Sequence, residues 1–354
     1  MIFNKIKINK SILDNRIFIS PMCQYSADAG TPSDWHYAHL AKLIKTGASM
    51  LIIESTAISA EGRISNKDLS IYTDRQRKYF KKLIGFLKKI EKKKLICLQI
   101  SHSGRKGSAF IPWVKNNTSL PIKNGWKTCA PSAIKKDEGW PTPYELKSKD
   151  IYKIIKDFKK AVLFLKKTKI DAIEIHMAHG YLLHQFLSPI SNKRKDAYGG
   201  TLQKRMKFPL EVAKEIRKIW PSNKILGARI TGDDHLPGGI TAKDCIHFAK
   251  KLEEIGFNYL CISSGGIITK TEMKQKKGFR LDLCAQIKKK LKIPVGTTGL
   301  LDDDKILNRA LIDKKIDFAA IGRRFLSDPM WIYKICLKKN QDIVPKQYLR
   351  GFIK

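Results

Sequence analysis

The sequence has few acidic residues for its many basic ones. It contains 69 Lys and Arg against 32 Asp and Glu, a formal net charge of +37 over 354 residues. Such an excess is typical of proteins that bind nucleic acid. Here, however, the lysines are spread over almost every predicted surface helix, as in Lys288-Lys289-Lys290, whereas an RNA-binding face favours clustered Arg with interleaved aromatics. We interpret the charge as a solvated surface and expect no nucleic-acid partner.

Paired cysteines are also absent. The seven cysteines are scattered and no Cys-x-x-Cys occurs, which argues against a disulfide framework, a zinc ribbon or an iron–sulfur cluster. Residues 1–20 lack the uninterrupted apolar stretch of a secretory signal. No apolar run approaches the ~18 residues of a membrane span. We therefore expect a cytoplasmic protein with no membrane partner.

Short apolar, β-branched runs alternate with longer amphipathic segments along the whole chain. We predict eight strands, at Ile17–Ser20, Met50–Ile53, Leu95–Gln99, Ala172–His176, Ile225–Ile230, Tyr259–Ser263, Val295–Thr297 and Phe318–Ile321. Seven helical patterns lie between them, at His36–Lys45, Asp74–Lys89, Asp150–Lys167, Leu202–Ile219, Thr241–Ile255, Arg280–Lys290 and Asp302–Lys314. Eight such repeats predict an α/β fold, a single (β/α)8 TIM barrel. Residues 1–354 are interpreted as one domain with a long rim loop after strand three, Ser101–Lys147.

Chemistry in this fold lies just past the carboxyl ends of the strands. Every predicted strand delivers a polar or glycine-bearing tip there, and the tips of strands seven and eight are rich in small residues. Gly322 and Arg323 follow strand eight, where barrels often bind a phosphate through backbone N–H groups and a cation. No Gly-x-Gly-x-x-Gly follows the first strand, so the phosphate suits a mononucleotide better than a Rossmann-bound dinucleotide.

Several motifs at these tips resemble the Old Yellow Enzyme family. They are Ser20-Pro-Met-Cys23-Gln-Tyr25, Gly62-Arg-Ile, Gln99-Ile-Ser-His-Ser-Gly-Arg-Lys106, Ala130-Pro-Ser-Ala, Ile173-Glu-Ile-His176-Met-Ala-His179-Gly-Tyr181, Phe186-Leu-Ser-Pro189, Asp196-Ala-Tyr-Gly-Gly200 and Ile321-Gly-Arg323. The match runs from about Ser11 to Gly351. Cys23 and the C-terminal Tyr348-Leu-Arg350-Gly-Phe resemble the thermophilic-like bacterial subclass. The rim loop, with Trp113 and Gly125-Trp126, resembles its xenobiotic reductases.

The resemblance implies an FMN-dependent NAD(P)H oxidoreductase, an ene-reductase that passes hydride from reduced flavin to electron-poor alkenes. It places FMN against Ser20, Pro21, Met22, Cys23, Ala57, Gln99, Arg229, Gly322 and Arg323. His176 and His179 would hydrogen-bond the activating oxygen of the substrate, Tyr181 would donate the proton, and Tyr25 would line the pocket. Arg350 would reach the active site of a neighbouring subunit in a homodimer or homotetramer.

Other interpretations remain open from the sequence. His176 and His179 also suit a metal site, although no fitting third ligand lies on a neighbouring tip, and we expect no metal. Cys23 also suits an inert buried thiol. The alternative enzyme is an FMN-dependent reductase like the tRNA dihydrouridine synthases, which the positive charge would suit. We expect NADPH rather than NADH as reductant, although no motif distinguishes them.

Overall fold

The computed structural model describes residues 1–271, 273–337 and 343–352. Eight parallel strands close into a barrel in chain order, and the last strand pairs with the first through Ala319 and Ile17. The strands are Ile17–Ile19, Met50–Ala57, Leu95–Ser101, Ala172–Met177, Ile225–Thr231, Tyr259–Ser263, Val295–Thr297 and Phe318–Ile321. We number them one to eight. The predicted (β/α)8 barrel is confirmed.

Seven helices connect the strands around the outside of the barrel. They are Asp34–Ile44, Asp74–Ile90, Ser148–Lys166, Leu202–Ile219, Ala242–Ile255, Leu281–Lys288 and Asp304–Ile312. Several of these helices begin after a residue whose side chain accepts a hydrogen bond from the first turn. Thr241 Oγ1 accepts from Asp244 N at 3.3 Å, and Asp244 Oδ2 accepts from Thr241 N at 3.1 Å, the reciprocal pair of a capping box. No helix within the described ranges is both long and apolar enough to span a bilayer.

Side-chain alternation along the strands divides the core into two layers. Residues such as Leu98 and Ile173 face outward and pack with the helices, while Phe18, Tyr259 and Phe318 fill the barrel interior. Gly227 makes room for the Tyr259 ring, because a Cβ there would lie 2.1 Å from Tyr259 Cζ. Side chains therefore fill the barrel interior below its rim, which is formed by the carboxyl ends of the strands.

An N-terminal hairpin, which the sequence pattern did not predict, closes the floor of the barrel. The strands Ile6–Ile8 and Ser11–Leu13 pair antiparallel, and Ile6, Ile8 and Leu13 are buried against the interior layer. Strand two is also longer than predicted. It continues from Ile53 to Ala57 past a break in register.

The long rim loop lies where it was predicted, but part of it is regular. Two short strands, Cys129–Ala130 and Tyr144–Glu145, pair in parallel, and single 3-10 turns form at Gly104–Lys106 and Ile122–Asn124. Further helical segments follow strands four and eight, at Leu182–Leu187, Arg323–Ser327, Trp331–Leu337 and Lys346–Gly351. The loop and the first of these segments cover the rim on one side.

Candidate active site

A chain of buried polar side chains crosses the barrel just below the rim. Gln99 Nε2 donates to Glu174 Oε1 at 2.6 Å, and Tyr259 donates to Glu174 Oε2 at 3.0 Å. Arg229 Nε lies 3.7 Å from Glu174 Oε1, while Arg229 Nη2 donates to Ser20 Oγ at 2.9 Å. All five side chains are buried. The carboxylate of Glu174 thus compensates the guanidinium charge and orients both Gln99 and Arg229.

Two imidazoles stand in contact at the tip of strand four. His176 Nε2 lies 3.3 Å from His179 Nδ1, and His179 Nε2 lies 2.6 Å from Ser263 Oγ. Because Ala178 N donates to His176 Nδ1 at 3.2 Å, His176 carries its proton on Nε2. Burial, with Arg229 nearby, holds the pKa of His176 well below its usual value, and burial beside His176 does the same for the pKa of His179. Both rings are therefore neutral near pH 7.

Tyr181 lies against this pair and against the tip of strand one. Its ring centroid is 4.5 Å from that of His176. Tyr181, Tyr25 and Cys23 pack on a small apolar cluster that is formed by Ile64 and by Ala109 and Trp140 of the rim loop. Burial raises the pKa of Tyr181 well above its usual value, and burial together with Glu54 and Asp68 raises that of Cys23. The phenol and the thiol are thus both protonated.

A half-buried lysine ties two of the strand tips together. Lys106 Nζ donates to the carbonyl of His179 at 2.7 Å and to that of Gly266 at 3.4 Å. It also lies 5.4 Å from the centroid of the Tyr181 ring. Burial, together with the charge of Lys136, lowers the pKa of Lys106 to about 7. Lys106 therefore helps to hold His179 in its left-handed backbone conformation, φ 57°.

A cavity of about 400 Å³ opens beside the tips of strands seven and eight. Met22, Gly299, Gly322, Arg280 and Arg323 are among the residues that line it. A Cβ at Gly322 would lie 3.3 Å from Met22 Sδ, and one at Gly299 would lie 3.2 Å from Arg280 Nη1. The two glycines thus keep the cavity open next to two guanidinium groups.

These features agree with comparisons to known proteins. A family model described as the NADH:flavin oxidoreductase / NADH oxidase family matches residues 1–342. An NADPH dehydrogenase of Clostridium acetobutylicum is 35% identical over 354 residues, covering 99% of both chains. Another, from Geobacillus thermodenitrificans, is 34% identical over 343 residues, covering 96% of this chain and 95% of the relative.

The chain belongs to the NADH:flavin oxidoreductase / NADH oxidase family. The expected Old Yellow Enzyme membership is confirmed, and so is an NAD(P)H-oxidising enzyme that uses FMN. The barrel resembles that of the old yellow enzyme homologue from Zymomonas mobilis, with a TM-score of 0.80 at 22% identity over 97% of this chain and 95% of that one. It also resembles morphinone reductase in complex with tetrahydroNAD, with a TM-score of 0.79 at 24% identity over 98% of this chain and 93% of that one. These two likenesses concern the fold alone.

The site of this flavin oxidoreductase fits FMN. The cavity between Gly299, Gly322 and Arg323 suits the phosphate, because two glycines, which allow close approach of the backbone, and a cation border it. Toward the barrel centre, the donor and acceptor atoms of Gln99 and the charge of Arg229 suit the polar edge of a flavin ring. Ala57 is buried at the tip of strand two, and Pro21 is half-buried between Ser20 and Met22.

Arg350 is the predicted site residue that the chain does not bring to this rim. It is exposed on the 3-10 turn Lys346–Gly351, and within the described ranges its side chain has no hydrogen bond or ion pair. The neighbouring Tyr348 ring packs near Tyr333 and Lys45, at the C-terminal end of the first helix. That end of the helix lies toward the barrel floor. Within one chain, Arg350 is therefore separate from the imidazole pair.

The acidic loop after strand five, residues 231–239, had no predicted role. Asp234 Oδ1 lies 2.9 Å from His184 Nε2, and Asp234 Oδ2 accepts from Ser188 Oγ at 2.7 Å and from Ile240 N at 2.9 Å. Gly180 N donates to His184 Nδ1 at 2.7 Å. Asp234 therefore anchors the short helix Leu182–Leu187, which directly follows Tyr181.

Sequence reasoning missed three residues of this site. Glu174 lies two positions before His176 on the same strand, so strand alternation alone would have placed it inside the barrel. Ser263 is the last residue of the predicted strand Tyr259–Ser263, and a single serine at a strand tip carries little signal. Arg280 lies in a Lys-rich segment, where one more cation carries no distinguishing signal.

Proposed function

We propose that the protein is an ene-reductase. Its substrates would be electron-poor alkenes such as α,β-unsaturated carbonyls, with nitro compounds and quinones as further acceptors. One observation supports this most: two neutral imidazoles 3.3 Å apart lie beside a protonated tyrosine at the tip of one strand. Such an arrangement can stabilise a developing oxyanion and supply a proton at a different point of the same molecule.

Ser263 lets both imidazoles act as donors to one oxygen. When the Ser263 hydroxyl donates to His179 Nε2, the proton of His179 lies on Nδ1. His176 Nε2–H and His179 Nδ1–H then face each other across 3.3 Å, and this pairing is unfavourable without an acceptor. A substrate carbonyl or nitro oxygen that lies beside the two nitrogens, within hydrogen-bond distance of each, would accept from both. Its negative charge, as it grows, strengthens both hydrogen bonds.

Tyr181 supplies the proton for the substrate carbon next to the activating group. Its raised pKa keeps the phenol protonated over the whole physiological range. The half-buried Tyr181 side chain packs on the apolar cluster of Ile64, Ala109 and Trp140. Lys106 Nζ lies 5.4 Å from the ring centroid and would provide positive charge beside the phenolate in the fraction of molecules in which it is protonated. Tyr25 on the same cluster would line the substrate pocket.

Bound FMN would supply the hydride for the alkene carbon. The residues that would hold it are Ser20, Pro21, Met22, Cys23, Ala57, Gln99, Arg229, Gly322 and Arg323. Arg229 would place a buried positive charge at the flavin edge where reduction adds negative charge, and Glu174 keeps that guanidinium oriented. Cys23 would contact the cofactor as a neutral thiol. NADPH as reductant is supported by the names of the full-length relatives.

We further propose that residues 1–354 form one FMN-binding domain that assembles as a homodimer or homotetramer. The exposed Arg350 would reach a neighbouring subunit's site, which its position toward the barrel floor of its own chain supports. Small molecules are the proposed partners. Cytoplasmic localisation is supported by unpaired buried thiols such as Cys97, Cys129 and Cys245.

Anaerobic stopped-flow absorbance tests the proposed reaction. The purified protein is first reduced with one equivalent of NADPH and then mixed with 2-cyclohexenone. The proposal predicts that the flavin absorbance returns and that one equivalent of cyclohexanone forms per flavin. If the flavin is reduced by NADPH but the enone neither reoxidises it nor is consumed, the protein is an NADPH oxidoreductase of another kind and the ene-reductase assignment fails.

A further inference from the structure

Arg280 lies beside the proposed cofactor phosphate, and every hydrogen bond that its side chain makes within the described ranges goes to a neutral acceptor. Its Nε donates to Ser264 Oγ at 2.7 Å, its Nη2 to the carbonyl of Ser264 at 3.2 Å and its Nη1 to the carbonyl of Thr298 at 3.4 Å. All of these acceptors are neutral. In the described part of the chain, no carboxylate forms an ion pair with Arg280 or with Arg323.

The position of the guanidinium is set by the glycine after strand seven. A Cβ at Gly299 would lie 3.2 Å from Arg280 Nη1. The guanidinium therefore lies directly beside the Gly299 backbone, and both residues line the cavity. Gly299 has φ 131°, a conformation that L side chains rarely adopt. The Arg280 guanidinium also packs over the Phe279 ring, at 4.3 Å from its centroid. These contacts hold the charge at one place rather than leaving it to solvent.

The local charge balance is strongly positive. Burial, together with the charges of Arg229 and Arg323, lowers the pKa of Arg280 to about 10, so the guanidinium remains charged near pH 7 while two other guanidiniums repel it. Asp302 also borders the cavity but pairs with neither Arg280 nor Arg323. An anion with two negative charges placed between Arg280 and Arg323 would relieve this repulsion.

We propose that Arg280 and Arg323 form a two-guanidinium site for a phosphate monoester, and that Arg280 makes the protein select FMN over riboflavin. This inference rests on the proposed cofactor site at strands seven and eight. The inference adds Arg280, from the segment after strand six, to the residues of that cofactor site. Arg323 is exposed at the outer edge of the cavity, whereas Arg280 is half-buried and held in place. Arg280 therefore contributes the fixed part of the recognition, since little side-chain entropy is lost when the phosphate binds.

The test compares two ligands that differ only in the phosphate. Flavin-free protein is titrated with FMN and with riboflavin, following the quenching of flavin fluorescence. Arg280→Gln is expected to weaken FMN by about tenfold or more and to leave riboflavin nearly unchanged, because a charge-assisted contact to the phosphate is lost. Arg280→Lys keeps the charge but loses the fixed fork, and an intermediate loss is expected for FMN alone.

Arg217→Gln is the matched control. Arg217 also donates to backbone carbonyls, those of Gly256 and Trp220, but at the opposite end of the barrel. Its removal is expected to change neither affinity. In the wild type, inorganic phosphate should weaken FMN binding without weakening riboflavin binding.

Equal losses of FMN and riboflavin in Arg280→Gln and Arg280→Lys would mean that Arg280 only braces Ser264 and Thr298, and this would overturn the inference. So would unchanged FMN affinity in both variants. A wild-type protein that binds neither flavin points instead to failure of the proposed cofactor site itself. The two failures are thus distinguishable in one set of titrations.

Discussion

Gln99 donates its amide hydrogen to Glu174 at 2.6 Å across two adjacent barrel strands. The same carboxylate accepts from Tyr259 and lies 3.7 Å from Arg229 Nε. One acidic side chain, fully buried, thereby orients two residues that the proposed mechanism assigns to the flavin. Glu174 is a positioning residue in this account.

Glu174→Ala should therefore lower both stability and flavin affinity. Removing one partner of a buried ion pair leaves the other charge uncompensated, which costs about 3–5 kcal/mol. Urea unfolding of the flavin-free protein measures the first effect and flavin titration the second. Glu138→Ala is the control, because Glu138 is 93% exposed in a surface pair with Lys135. It should change the free energy of unfolding by less than about 0.5 kcal/mol. Similar losses in both variants would contradict the role given to Glu174.

Gly227→Ala should disturb the same network from below. The new Cβ would lie 2.1 Å from Tyr259 Cζ, so the ring that donates to Glu174 must move. We expect the free energy of unfolding to fall by about 1–3 kcal/mol or more. Gly85→Ala in the helix Asp74–Ile90 meets no atom within 4 Å and should stabilise the protein by about 0.5–1 kcal/mol. Thermal and urea unfolding of both variants decide it, and a Gly227→Ala protein as stable as the wild type would refute the packing argument.

Cys23 should react slowly with thiol reagents. Burial, with Glu54 and Asp68, raises its pKa, so at pH 8 less of it is thiolate than of an ordinary cysteine. Alkylation of the flavin-free protein by iodoacetamide, mapped by mass spectrometry, should be slower at Cys23 than in the urea-unfolded chain. Its rate should still rise as the pH increases beyond 9. A rate that levels off near pH 7 would show a lowered pKa and an activated nucleophile instead.

His176→Ala together with His179→Ala should abolish the binding of phenols while FMN is retained. We expect a phenolate to occupy the oxyanion position that the two imidazole N–H groups would create. Spectral titration of the flavin with p-hydroxybenzaldehyde measures this. In the wild type, both imidazoles have pKa values well below 6.5 and stay neutral from pH 6.5 upward. Unchanged phenol affinity in the double variant would remove the imidazoles from the binding site.

The sequence was sufficient for the barrel because each strand is apolar and each tip carries polar residues or glycine. Alternation along strands three to five also accounts for Gln99 and Arg229 pointing inward together. The assignments of His179, Tyr181 and Tyr25, by contrast, came from resemblance, since lone aromatic or imidazole groups carry little signal. The structure brings these three near Cys23 and His176, but their catalytic roles remain predictions.

Other features needed tertiary structure. The hairpin of Ile6–Ile8 and Ser11–Leu13 is too short for a periodic pattern and is stabilised only by packing on the barrel floor. In the sequence, Arg280 does not differ from the surrounding lysines. Only its position beside Gly299 and the cavity distinguishes it. The proposed role of Arg350 requires a second subunit. The thermophilic-like subclass, suggested by Cys23 and the C-terminal motif, likewise stays a prediction.

The central claim is that Tyr181 gives a proton to the substrate after hydride transfer and has no part in flavin reduction. Tyr181→Phe tests it when the two half-reactions are timed separately by stopped-flow absorbance, with Tyr152→Phe, on an exposed face of the helix Ser148–Lys166, as control. The account predicts that 2-cyclohexenone reoxidises the Tyr181→Phe flavin about 100-fold more slowly, whereas NADPH reduces it at nearly the wild-type rate. Equal slowing of both half-reactions, or of neither, would contradict it.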